Sequence, residues 1–140
     1  EDLARGDYEA LAAFRYGVRR YLAFADRNAR SAGLTSQQHQ ALLAIKAHSF
    51  ARPMSIGDLA AQLLLKHHST VELVGRLEKA GLACKQIDAD DRRKVLVRLT
   101  EEGEAVLASL SARNLQELRH VAPSFAGVVR QIERLEEAGA

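Results

Sequence analysis

A single cysteine, Cys84, is the chain's whole thiol inventory, so no intrachain disulfide framework can form and a reducing compartment suits it. No apolar run approaches the roughly 18 residues that would span a bilayer, and membrane insertion is not expected. The opening residues, EDLARGDYEA, lack a basic start followed by an apolar core, so they do not read as a secretory signal and a cytoplasmic protein is expected. There is no glycine-rich phosphate loop, no nucleophile elbow and no His-Glu-x-x-His pair. The adjacent carboxylates Glu101 and Glu102 are accounted for by the positive end of a helix dipole. Neither an enzyme nor a cofactor is expected. Internal repeats and low-complexity tracts are also missing.

What is present fits one domain over residues 1–140. Hydrophobic residues make up 47% and charged residues 27% of the chain, ordinary values for a globular protein. The net charge of +2 conceals a division: Arg52 to Arg98 holds nine Lys/Arg against six Asp/Glu, while Leu99 to Ala140 holds four against seven. The middle of the chain therefore faces a polyanion more readily than its end.

Apolar residues Leu11, Phe14, Val18, Tyr21, Leu22 and Ala25 recur at helical spacing from Asp7 to about Ala32, and Gly33 supplies a left-handed stop. Thr35 and Gln38 have capping-box spacing and open a second helix to about His48, with Ala41, Leu42 and Ile45 on its apolar stripe. Pro53 bars any helix before it. Ser55 and Asp58 then form a variant capping box, with Met54 and Leu59 spaced as a hydrophobic staple, predicting a short third helix that closes near Leu63. His67 to Ala80 places Thr70, Leu73, Val74 and Leu77 on one face and stops at Gly81, giving a fourth helix. Leu82 to Ile87 and Val95 to Leu99 read as two strands joined by a charged tip. Thr100 caps a fifth helix, Pro123 is expected to break it, and a last helix carries Phe125, Val128, Val129, Ile132 and Leu135.

Short helices, a longer helix and then a hairpin follow the order of a winged helix-turn-helix. The fold class expected is mainly α with a small β-hairpin: a winged lobe over 34–100, and dimerisation helices over 7–32 and 100–138. The fourth helix is then available for a DNA major groove, and the hairpin tip can reach a phosphate backbone or minor groove. Asp91 is close enough to Arg93 to hold its guanidinium, while Asp88 and Asp90 favour the turn.

The runs LVGRLEKAGL (Leu73 to Leu82) and DADDRRKVLVRLTEEG (Asp88 to Gly103) strongly resemble the MarR family of bacterial transcriptional regulators. That family's wing carries Asp-x-Arg and runs into a strand ending Leu-Thr-x-x-Gly, matched here by Asp91, Arg93, Leu99, Thr100 and Gly103. The sequence departs from the pattern at Leu64, where glycine is common, and at Lys66-His67-His68, which replaces a hydroxyl cap. The resemblance implies a homodimer that binds double-stranded DNA. It further implies a small aromatic or phenolic acid effector, for which Arg15, Tyr16, Arg19, Arg20 and Tyr21 of the first helix are the candidate contacts.

The candidate DNA-binding residues are Lys66, His67, His68, Ser69, Glu72 and Arg76 on the fourth helix and Asp91, Arg92, Arg93 and Lys94 at the hairpin tip. His68 and Ser69 suit base edges or phosphates, and Glu72 suits a cytosine amino group. Solvated surface is the bland reading of both sets, and the helix order argues against it. Adjacent histidines project about 100° apart on a helix, so His67 and His68 do not read as a metal site. Cys84 is expected to be packing. The expected dimer interface comprises Leu11, Phe14, Val18, Leu118, Phe125, Val128, Val129, Ile132 and Leu135, because such stripes are too large for a small winged helix to bury alone. Two alternatives stand beside this reading: a redox- or metal-sensing regulator of the same fold, and a winged-helix protein-interaction module without DNA binding.

Overall fold

Gly33 and Gly81 adopt left-handed backbone at φ 78° and 77°, ending helices where the sequence places stops. The computed structural model describes residues 2–140. Its elements are α1 (Arg5–Ser31), α2 (Ser36–Ser49), β1 (Met54–Ser55), α3 (Ile56–Leu63), α4 (His67–Lys79), β2 (Ala83–Ile87), β3 (Val95–Leu99) and α5 (Glu101–Gly139). They form two units: Ala29–Leu110, and the segment ending at Asn28 together with Ser111–Ala140.

In the first of these units both capping boxes form. Thr35 Oγ1 accepts from the Gln38 amide at 3.1 Å while Gln38 Oε1 accepts from the Thr35 amide at 2.9 Å. At α3, Ser55 Oγ accepts from the Asp58 amide at 3.0 Å and Asp58 Oδ2 from the Ser55 amide at 3.4 Å. Each box satisfies helix-start amides that would otherwise lack partners. The antiparallel sheet has the order β1-β3-β2. Strand β1 is an addition to the hairpin expected from sequence: Met54 pairs with Val97 and Ser55 with Leu96. The core gathers Leu42, Ile45, Leu59, Leu77, Val74 and Val97, all fully buried. These residues come from α2, α3, α4 and β3, so the helix-turn-helix and the sheet share one apolar interior.

The Leu-Thr-x-x-Gly run closes this unit. The Thr100 amide donates to Leu82 O at 3.0 Å, and Thr100 Oγ1 donates to Gly81 O at 2.6 Å while accepting from the Gly103 amide at 3.1 Å. A Cβ on Gly103 would lie 2.0 Å from Leu82 O, so only glycine fits there.

In the other unit α1 and α5 pack together. The rings of Phe14 and Phe125 meet edge to face at 5.4 Å, Arg134 pairs with Asp7 at 2.6 Å and Arg20 with Glu117 at 3.5 Å. The expected break at Pro123 does not occur: α5 runs unbroken from Glu101 to Gly139 with Pro123 inside it, so the expected last helix is its continuation. An interior proline costs a helix about 3 kcal/mol, and packing on both sides of it offsets that cost. Val121 is buried, Phe125 meets Phe14, and at Gly17 a Cβ would come within 2.7 Å of Ser124 Cβ. The missing side chain at Gly17 lets α1 lie against α5 beside the proline.

Candidate nucleic-acid interface

The fourth helix sorts its residues sharply. Thr70, Leu73, Val74 and Leu77 are buried, whereas Lys66, His67, His68, Glu72 and Arg76 are exposed and Ser69 is half-buried. Thr70 is held inward by its hydroxyl, which donates to Lys66 O at 3.0 Å. Lys66 occupies the N-cap of α4 without a side-chain hydrogen bond, so the first amides of α4 have no side-chain cap. Such amides, at the positive end of the helix dipole, favour an anion.

The turn before α4 is strained. Leu64 has φ 56° and ψ 40°, a left-handed conformation that costs a side-chain-bearing residue roughly 1–2 kcal/mol. It is 92% exposed, so no packing compensates it.

At the wing tip the expected fork forms. Arg93 Nε and Nη2 donate to Asp91 Oδ1 and Oδ2 at 3.1 and 3.4 Å, and the Arg93 amide donates to Oδ1 at 3.1 Å. These side-chain and backbone hydrogen bonds from Arg93 hold the Asp91 carboxyl below the usual carboxylate range. Asp88 Oδ1 accepts from the Asp90 amide at 2.9 Å, and the Lys94 amide donates to Asp91 O at 2.9 Å, closing the tip. Arg92, Arg93 and Lys94 are exposed, Arg93 with 90% of its side chain accessible.

Between α4 and the wing lies an open concavity of about 460 Å³ with His67, Val71, Lys85, Arg93 and Lys94 in its lining, together with Ser55, Gly57 and one carboxylate, Asp58, from the start of α3. It brings together His67, Arg93 and Lys94 from the sequence-based set. Lys66, His68, Ser69, Glu72, Arg76, Asp91 and Arg92 are not among its lining. Sequence reasoning missed Lys85 and Val71. Ala83 is buried, and period-two alternation along β2 put Lys85 on the same sheet face, so a signal for the lysine existed. Glu78 steadies Lys85 at 3.4 Å. A second concavity of about 330 Å³, lined by Arg52, Ser55, Asp58, Asp88, Asp90 and Lys94, carries three carboxylates. Burial acts to raise the Asp58 carboxyl, but hydrogen bonds from Ser55 and the nearby His48 and Arg52 outweigh it and leave the group below its usual range. Anion attraction is thus concentrated on the α4 side of the wing.

The remaining candidates lie elsewhere. Arg15, Tyr16 and Arg19 are exposed on α1, and Tyr21 is half-buried with its phenol pushed up by burial. Cys84 is exposed, which corrects the expectation of a packed cysteine: Ala83 takes the inward position of β2 and turns Cys84 outward. Among the described residues no group of three or more His, Cys, Asp or Glu could hold a metal ion, and no helix is long and apolar enough to cross a membrane. Phe14 and Phe125, expected at a dimer surface, spend part of their area on each other. Val18, Leu118 and Val128 are half-buried, while Leu11, Val129, Ile132 and Leu135 are exposed.

A helix-turn-helix followed by an antiparallel hairpin, sharing one core, defines a winged helix-turn-helix protein. Residues 32–94 match the model of the MarR family, and the curated relatives the chain resembles are transcriptional regulators. It is 38% identical over 80 residues to the transcriptional activatory protein BadR of Rhodopseudomonas palustris, covering 57% of this chain and 46% of BadR. It is 33% identical over 106 residues to the transcriptional repressor NicR of Pseudomonas putida, covering 74% of this chain and 65% of NicR. The chain spans about half the length of the first curated relatives it matches. The fold is also that of AbsC, a MarR family transcriptional regulator from Streptomyces coelicolor, with a TM-score of 0.71 and 19% identity over 99% of this chain and 92% of AbsC. A mutant of MepR from S. aureus bound to an oligodeoxyribonucleotide gives a TM-score of 0.68 and 20% identity over 87% of this chain and 94% of MepR.

Proposed function

We propose that this chain is a cytoplasmic, sequence-specific DNA-binding transcriptional regulator that acts as a homodimer on a palindromic operator. The observation that carries this reading is the concavity between α4 and the wing, where His67, Lys85, Arg93 and Lys94 meet. Guanidinium and ammonium groups at a hairpin tip neutralise phosphates, while the outward residues of α4 contact base edges. The MepR neighbour bound to an oligodeoxyribonucleotide supports the same use of the fold. The charged tip argues against a protein-interaction module that has lost DNA binding.

For the dimer, support comes from Leu11, Val129, Ile132 and Leu135, each about half exposed. Burying such side chains is worth roughly 1.5–3 kcal/mol apiece, enough in sum to offset the entropy of association. Two-fold symmetry would set the two recognition helices about 34 Å apart, one DNA turn, which favours a palindromic site. For direction we propose repression, after NicR, a curated repressor matched over 74% of this chain. Release is proposed to follow binding of a small aromatic or phenolic acid, with Arg15, Tyr16, Arg19 and Tyr21 as candidate contacts.

A mobility shift with the DNA upstream of the protein's own gene, repeated with a panel of aromatic acids, tests both parts. Arg93→Ala should weaken specific and nonspecific binding alike and flatten the salt dependence. An unchanged affinity and salt slope would overturn the wing assignment. Sedimentation of Ile132→Asp should show monomers that lose the operator, and a wild-type monomer that binds a palindrome tightly would overturn the dimer.

A further inference from the structure

We infer that Val71 reads the C5-methyl group of a thymine, and that Gly75, one turn further along α4, lets the helix approach closely enough for it to do so. The inference rests on the DNA-binding reading and deepens it. Every other large aliphatic side chain of α4, namely Leu73, Val74 and Leu77, is buried, whereas Val71 is 40% exposed and lines the concavity with His67, Lys85 and Arg93. A lone exposed valine is ordinary, and what sets this one apart is its neighbour.

Gly75 lies four residues on and therefore on the same side of the helix. Its φ is not left-handed, and a Cβ built there meets nothing within 4 Å. Alanine would fit, and alanine is the best helix former where glycine is nearly the worst. No contact in the fold accounts for a glycine at this position. An absent side chain on an outward helix face does serve one purpose, which is the close approach of another surface to the backbone. Val71 and Gly75 together make an apolar strip with no hydrogen-bonding group of its own, flanked by the polar side chains of His67, His68 and Glu72. Within a major groove, the apolar feature that distinguishes one base from the others is the thymine methyl.

The test begins with duplexes enriched by the wild-type chain from a randomised double-stranded library. Each thymine is then replaced in turn by deoxyuridine, which lacks only the methyl, and binding is read by fluorescence anisotropy. At one thymine per half-site the wild type should weaken about fourfold, the worth of one buried methyl-sized group. Val71→Ala should bind the thymine duplex that much more weakly and no longer distinguish thymine from deoxyuridine, with only a small change in thermal midpoint because the residue lies outside the core. Gly75→Ala should melt higher than wild type and bind the same duplex more weakly. A wild type indifferent to deoxyuridine at every thymine, or a Val71→Ala chain that keeps the full deoxyuridine penalty, overturns the assignment of Val71. A Gly75→Ala chain that melts higher and binds unchanged overturns the close approach. A wild type that enriches no sequence at all overturns the DNA-binding reading itself, and this inference with it.

Discussion

Asn28 Nδ2 donates to Asn114 Oδ1 at 3.0 Å, joining α1 to α5 across 86 residues of sequence, and both side chains are buried. Truncating Asn114 to Ala removes this buried hydrogen bond, at a cost of roughly 0.5–1.5 kcal/mol. Urea denaturation of Asn28→Ala, Asn114→Ala and the double variant should show a coupling of about 1 kcal/mol. Strict additivity would mean that the bond contributes nothing.

Leu64→Gly should stabilise the chain. It relieves the left-handed strain at φ 56°, partly offset by the greater freedom of glycine in the unfolded state, for a net gain of roughly 0.5–1 kcal/mol. For a domain of this size that raises the thermal midpoint by about 2–4 °C. A lower midpoint would show that Leu64 makes a contact worth more than its strain.

Gly103→Ala should do the reverse. Its Cβ would collide with Leu82 O, 2.0 Å away, and moving that carbonyl breaks its bond with the Thr100 amide. The loss should reach about 3 kcal/mol or more in denaturant titration. A loss under about 1 kcal/mol would mean that the start of α5 gives way easily.

His39 makes stability depend on pH. Its side chain is buried, Nε2 has no hydrogen-bond partner, and burial lowers its pKa below the 6.5 of a free imidazole. The unfolded chain therefore takes up the proton first as pH falls, so stability contributed by the neutral form is lost below about pH 6.5 and is constant well above it. The urea midpoint of the wild type should drop between pH 7.5 and 5 by more than that of His39→Gln. Parallel pH profiles would show that His39 titrates alike in both states.

Asp91→Ala separates positioning from stability. The carboxylate lies at an exposed tip, so the melting curve should hardly move, within about 0.5 kcal/mol. Freed from its fork, Arg93 has more conformations to lose on meeting a phosphate, and DNA affinity should fall even though a negative charge has been removed. Tighter binding would show that the charge outweighs the fork.

The helix stops at Gly33 and Gly81, both capping boxes and both hairpin strands were legible because each is a local event in which a few adjacent residues carry the physics. The Asp91–Arg93 fork was legible for the same reason. What escaped was decided at a distance. Two residues of extended chain at Met54 and Ser55 become a strand only because β3 arrives some forty positions later to pair with them. Pro123 reads locally as a breaker, yet α5 continues through it where Gly17 and Phe14 of α1 pack against it. The candidate site divides in the same way: the basic tip stands out in the sequence, while Lys85 and Val71 join it only once β2 lies beside α4. The helical period that puts Thr70, Leu73, Val74 and Leu77 on one face leaves Val71 off it, but an apolar side chain carried no signal for a charged site.

Ser55 holds two positions at once: its backbone pairs with Leu96 in the sheet, while its side chain and amide form the capping box of α3. The lever arm of the wing is therefore anchored on the hydrogen bonds that start α3. Peeling β3 away from β1 would uncap α3, and fraying α3 would loosen the inner margin of the wing. Amide protons at Ser55, Asp58 and Leu96 should accordingly exchange with solvent as one cooperative group, so that the wing and α3 rise and settle together.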